Sequence, residues 1–167
     1  MRDTNTVRTL ARMSTRTALV ASALLLLGIA IVSPQGSSSK GPYAADILRS
    51  PGVLNPDVTQ ANIDSTICLH GWTKTIRPPT SYTNALKRKQ MREYGVGGSL
   101  SDYQEDHLVS LELGGHPTDP RNLWPEPYPR ASEVDSIEND LNDKVCAGEL
   151  SLDDAQRKES ELKHTDG

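Results

Sequence analysis

Phenylalanine is absent from this chain of 167 residues, and two Trp and five Tyr bring the aromatic share to only 4%. The core must therefore be aliphatic and thin, because the rings that bury most apolar surface per residue are scarce. Cysteine occurs only twice, as Cys68 and Cys146, which allows a single disulfide. No internal repeat is visible, so a stacked-repeat architecture is excluded. The basic excess of a dedicated, tight DNA binder is missing as well, since the formal charge is −4; local phosphate contacts remain compatible with that balance.

Charge is also missing from Thr17 to Ser33, a run of seventeen residues that contains Leu24-Leu25-Leu26-Leu27 and follows Arg2, Arg8, Arg12 and Arg16. This layout predicts a signal peptide or a membrane anchor over residues 1–33, with the remainder exported. Gly28-Ile29-Ala30 is a poor cleavage site, so cleavage and retention both stay open. Outside the cytoplasm a disulfide persists. Cys68 and Cys146 are then expected to pair, contributing about 4 kcal/mol through loop closure; two free buried thiols are the alternative.

Residues 34–65 read as a linker and loosely ordered connector, from Pro34-Gln35-Gly36-Ser37-Ser38-Ser39 through Pro51, Gly52 and Pro56. Organisation resumes at residue 66 and extends to 156, which is enough for one domain, while residues 157–167 read as a charged tail. Within the domain, Ile67 to Pro79 is expected to be extended. Ser81 to Tyr94 is expected to form a helix closed by Gly95. Leu111 and Leu113 alternate with Ser110 and Glu112 as in a half-buried strand. Leu123-Trp124 should begin a very short second strand cut off by Pro125 and Pro127. Ser132 with Asp135, and Ser151 with Asp154, have capping-box spacing for two further helices. Val134, Ile137, Leu141 and Val145 share a stripe on the first of these, ahead of Gly148.

The chemistry is concentrated in Glu105-Asp106-His107-Leu108-Val109-Ser110-Leu111-Glu112-Leu113-Gly114-Gly115, followed by Thr118-Asp119-Pro120-Arg121-Asn122-Leu123-Trp124. Hydrolysis of a phosphodiester needs a base for the attacking water and a hard cation on the phosphate oxygens. A histidine with Asp and Asn oxygens supplies both. Over roughly residues 66–156 the chain resembles the HNH, or His-Me finger, endonucleases. Asp106-His107 matches the family's pair on the first strand, Gly114-Gly115 its turn, and Asn122-Leu123 the Asn-Leu that closes the hairpin.

The resemblance implies an α+β protein with a small ββα-metal core and flanking helices. It also implies His107 as general base and Asp106 and Asn122 as ligands of one divalent ion, with Mg²⁺ expected for oxygen donors. Its substrate would be nucleic acid, DNA rather than RNA, cut without sequence preference. The family usually places a His or Asn ligand on the following helix, whereas this chain has no His between Trp124 and Lys163, so no third ligand is named.

Other residues carry two readings each. Glu126, held between prolines, could ligate the ion or orient its water, or be an exposed turn residue. Asp135 and Glu138 read as solvated helix charges. Lys87, Arg88 and Lys89 belong to a basic flank that also includes Lys74, Arg77 and Arg92; with Arg121 they are candidate phosphate contacts, or a solvated helix face. His70 reads as a neighbour of Cys68, His116 as a loop residue near phosphate, His164 as part of a frayed tail, and Trp124 as core. A non-catalytic, disulfide-stapled envelope module on a degenerate ββα scaffold is the competing function.

Overall fold

The computed structural model describes residues 43–167; the apolar run Thr17 to Ser33, and with it the expected signal peptide or anchor, lies outside the described residues. Among the described residues no helix is long and apolar enough to cross a membrane. The protein mixes helices with one two-stranded antiparallel sheet, in the order α1 (Trp72–Ile76), α2 (Thr80–Tyr94), β1 (Tyr103–His107), β2 (Leu123–Pro127), α3 (Arg130–Cys146) and α4 (Leu152–Thr165).

Helix α1 replaces the extended backbone expected there. Gly71 takes a left-handed conformation (φ 84°) that turns the chain into the helix, and Arg77 leaves it in extended geometry ahead of Pro78-Pro79. Helix α2 ends as expected, on Gly95 in the left-handed region (φ 69°).

The strands pair Asp106 with Trp124 and His107 with Leu123, and the pairing continues through Pro125 to Pro127. The prolines therefore do not cut β2 short. The carbonyl of Leu123 points away from β1, accepting from Gln90 Nε2 and Ser50 Oγ at 2.9 Å each. Pro125 and Pro127 share that outward side by the two-residue period, and there no N–H is required.

The link between the strands is not a continued strand. Leu111–Leu113 form one 3₁₀ turn with both leucines buried, and Gly114 closes it at φ 78°. Gly115 is needed for space: a Cβ there would sit 1.7 Å from the carbonyl oxygen of Val109. Asn122 then fastens the loop. Its Oδ1 accepts from Val109 N (3.0 Å), and its Nδ2 donates to the carbonyls of Val109 (2.9 Å) and His116 (3.1 Å).

Helix α3 starts two residues before the expected capping box, with Pro129 at its N-cap, and α4 starts as expected, with Ser151 accepting from Asp154 N. Val134, Leu141 and Val145 are buried, but Ile137 is 37% exposed and Glu138 takes the inward position between them. The main core joins Val109, Leu113, Leu141, Val145, Leu152 and Ala155; a smaller one joins Ala45, Leu108 and Trp124. The Cys68–Cys146 disulfide is present, with Cα atoms 5.6 Å apart.

Two boundary expectations need correction. Part of the supposed loose connector is packed: Ala45, Ser50, Asn55 and Val58 are buried, and Leu54 bridges Gly115. The supposed charged tail is the second half of α4, and Glu159 and Lys163 in it are fully buried. His164 is not frayed either, since its Nε2 bonds the carbonyl of Ser50 at 2.9 Å.

Candidate active site

A cleft of about 320 Å³ opens between α1, the end of β1 and α3. Thr73 and Arg77 form one wall. Gln104, Asp106 and His107 form the floor, and Asp135, Glu138 and Asn139 stand opposite, with Glu112 at the rim.

His107 is buried and last on β1. Its Nε2 lies 3.0 Å from the carbonyl oxygen of Pro117. A carbonyl only accepts, so Nε2 carries the hydrogen and Nδ1 keeps its lone pair. Burial pushes the imidazole pKa below its usual value, which favours the neutral form that a base requires.

Asp106 precedes His107 at the end of β1, and both line the cleft. Asp106, Asp135 and Glu138 bring one carboxylate oxygen each to within 4.8 Å of one another. Asp135 and Glu138 are three residues apart on α3, which puts both on the face turned to β1. Gln104 bridges the group, donating through Nε2 to Asp106 Oδ1 (3.2 Å) and Asp135 Oδ1 (3.4 Å).

Behind the acids lies Lys163. Its Nζ, fully buried, is 2.6 Å from Asp106 Oδ2, 2.5 Å from Glu138 Oε1 and 3.3 Å from Glu159 Oε1, and it donates to the carbonyl of His107 at 2.6 Å. Glu159 in turn accepts from Ser110 N on both oxygens, at 2.9 and 3.0 Å.

One ammonium faces an excess of carboxylates, and their proton affinities record it. Burial raises the Asp106 pKa, but the Lys163 charge, hydrogen bonds with Glu126 and Lys163 and the His107 charge together outweigh burial and hold it at about 2. Glu126 is pushed up to about 9, by burial first and then by the Asp106 charge. Glu138 and Glu159 are also raised by burial, and Lys163 stays protonated because the acids outweigh its own desolvation. Neither oxygen of Glu126 has a hydrogen-bond donor around it. Once protonated, Glu126 can itself donate to Asp106, which reconciles its burial with the lack of a donor.

The expected residues do not all meet. Asp106 and His107 share the cleft. Asn122 is not among the residues that line the cleft; fully buried and with its amide held on both sides by backbone, it clamps the hairpin. Glu126 is no exposed turn residue but lies buried behind Asp106. Lys87 is withdrawn from any phosphate, since its Nζ donates to the carbonyls of Leu100 (2.8 Å) and Tyr103 (2.6 Å). Arg88 and Lys89 are exposed on α2, and Lys89 pairs with Glu93. Arg121 is forked onto Asp119.

The cation that does line the cleft is Arg77. Asp135 and Glu138 are not solvated helix charges, and Lys163 and Glu159 lie where a tail was expected. The signal for Glu138 was its place on the Val134, Leu141, Val145 stripe. For Glu159 and Lys163 it was their spacing from Leu152 and Ala155, where a charge on an apolar stripe marks a buried ion pair.

Compared with known proteins, the chain matches no family model, no curated protein and no solved structure.

Proposed function

We propose that the protein is an exported, metal-dependent endonuclease that hydrolyses phosphodiester bonds of nucleic acid, DNA in preference to RNA. The observation that carries this reading is one cleft holding a neutral histidine with a free Nδ1 beside three carboxylates that can share a cation. The strand, loop, strand and helix order around it is the order of a ββα-metal core. The oxygen-only donor set of Asp106, Asp135 and Glu138 fits a hard ion such as Mg²⁺.

Asp106, Asp135 and Glu138 are the residues that would hold the ion. Bound there, it would supply positive charge for the phosphate and the departing oxygen. His107 Nδ1 takes a proton from the attacking water, while the Nε2 bond to Pro117 fixes the ring. Arg77 anchors a phosphate from the facing wall. The disulfide fits export, because such bonds persist outside the cytoplasm.

A second reading is favoured by one observation. Lys163 already contacts two of the three acids, as a self-neutralised, non-catalytic scaffold would have it. Plasmid nicking and RNA cleavage with Mg²⁺, with Mn²⁺ and with EDTA separate the two. Metal-dependent cleavage is expected; no cleavage by pure protein under any of these conditions would falsify the nuclease reading.

A further inference from the structure

Lys163 is the charged group that the nuclease reading leaves without a task. It reaches the acids from inside the protein, is fully buried, and is fixed by three carboxylates and the carbonyl of His107. Asp106 gives it Oδ2 and Glu138 gives it Oε1. Glu138 therefore keeps Oε2 for a cation in the cleft, and Asp106 keeps Oδ1, which also accepts from Gln104 Nε2 at 3.2 Å. Glu126 is buried beside Asp106, and neither of its oxygens has a donor partner.

Ca²⁺ takes six to eight oxygens and commonly uses both oxygens of a carboxylate, whereas Mg²⁺ takes six in a tight octahedron with several waters. We propose that Lys163 sets which cation the acidic triad accepts: by holding Asp106 and Glu138 to one oxygen apiece, it selects a small octahedral ion over Ca²⁺. The inference rests on the reading that Asp106, Asp135 and Glu138 hold a divalent ion. Lys163 is then a positioning residue whose effect is on ion identity.

Isothermal titration calorimetry of the full chain with MgCl₂ and CaCl₂, alone and in competition, tests this. The wild type should bind Mg²⁺ at least as tightly as Ca²⁺. Lys163→Met, checked for folding by circular dichroism, should shift the Ca²⁺-to-Mg²⁺ affinity ratio about tenfold or more toward Ca²⁺. The double variant Lys163→Met with Glu159→Gln, which removes one buried charge of each sign, should show the same shift. Tighter Ca²⁺ than Mg²⁺ binding by the wild type overturns the proposal without any variant, and an unchanged ratio in a folded variant overturns it as well. Binding of neither ion by the wild type is a separate result, which overturns the metal reading and the selection with it.

Discussion

Replacing Cys68 and Cys146 together by Ala opens a bridge between positions 78 residues apart. In the chain-entropy account the lost constraint is roughly 2.1 cal/mol/K plus 1.5R ln 78, or about 4.5 kcal/mol at 25 °C, while native disulfides typically contribute about 2 to 5. Unfolding entropy is about 2.1 cal/mol/K per residue, so for roughly 125 residues a loss of about 2 to 4.5 kcal/mol lowers Tm by about 8 to 17 °C. The effect should also be local. Cys68 lies just ahead of α1, and Cys146 ends α3, so the bridge joins the wall bearing Thr73 and Arg77 to the helix bearing Asp135 and Glu138. A five-residue helix does not hold itself in water. Scanning calorimetry gives the global term, and amide exchange of the folded double variant should show its largest gain at residues 69–77. A Tm loss below about 3 °C, or exchange at α1 no faster than in the wild type, would refute the tether.

His107→Ala should abolish cleavage while the variant stays folded with Tm lowered by several degrees, since it removes the base together with a buried side chain and its bond to the Pro117 carbonyl; plasmid nicking by a folded variant at wild-type rate contradicts that role. Asp135→Asn and Glu138→Gln should each weaken Mg²⁺ binding about tenfold or more, read by calorimetry, and equal affinity in both would remove α3 from the metal centre. Stability without metal should fall as pH rises. Glu105 and Glu126 are raised by burial from 4.5 to about 8 and about 9, so their contribution is complete below about pH 4.5 and is lost on passing through 8 to 9. Tm measured in EDTA should drop from pH 5 to pH 9, with a shallower slope for Glu126→Gln; a rise over that range contradicts the sign. Gly115→Ala should cost more than about 3 kcal/mol by denaturant unfolding, because its Cβ meets rigid backbone at 1.7 Å; a loss under about 1 kcal/mol would contradict this crowding.

Local signals made much of the fold legible. Gly95, Ser151 and Gly148 mark helix ends through backbone preferences that act within a few residues. The Asp106-His107 pair was readable as part of a strand, but the pair ends β1 rather than heading it, because the alternating residues that follow form a 3₁₀ turn. What failed was long-range. Lys87 looks like any surface lysine until the carbonyls of Leu100 and Tyr103, more than a dozen residues on, are brought to it. Lys163 lies 57 positions from Asp106, so their pairing had no local trace beyond a charge on an apolar stripe. Asn122 is the instructive intermediate case. Its place after the loop brings it back to the start of the hairpin, but position alone does not distinguish an amide that binds an ion from one that ties two backbone segments together.

The prolines of β2 also govern how copies of this protein meet one another. A two-stranded sheet exposes two edges, and an open edge with free N–H and C=O groups is a template on which a second chain can add a strand. Along β2 the outward donors at Pro125 and Pro127 do not exist, and the outward carbonyl of Leu123 is already held by Gln90 and Ser50. The edge formed by the strand that carries Glu126 behind the cleft thus offers a neighbour few groups to pair with, and that edge is protected against edge-to-edge aggregation.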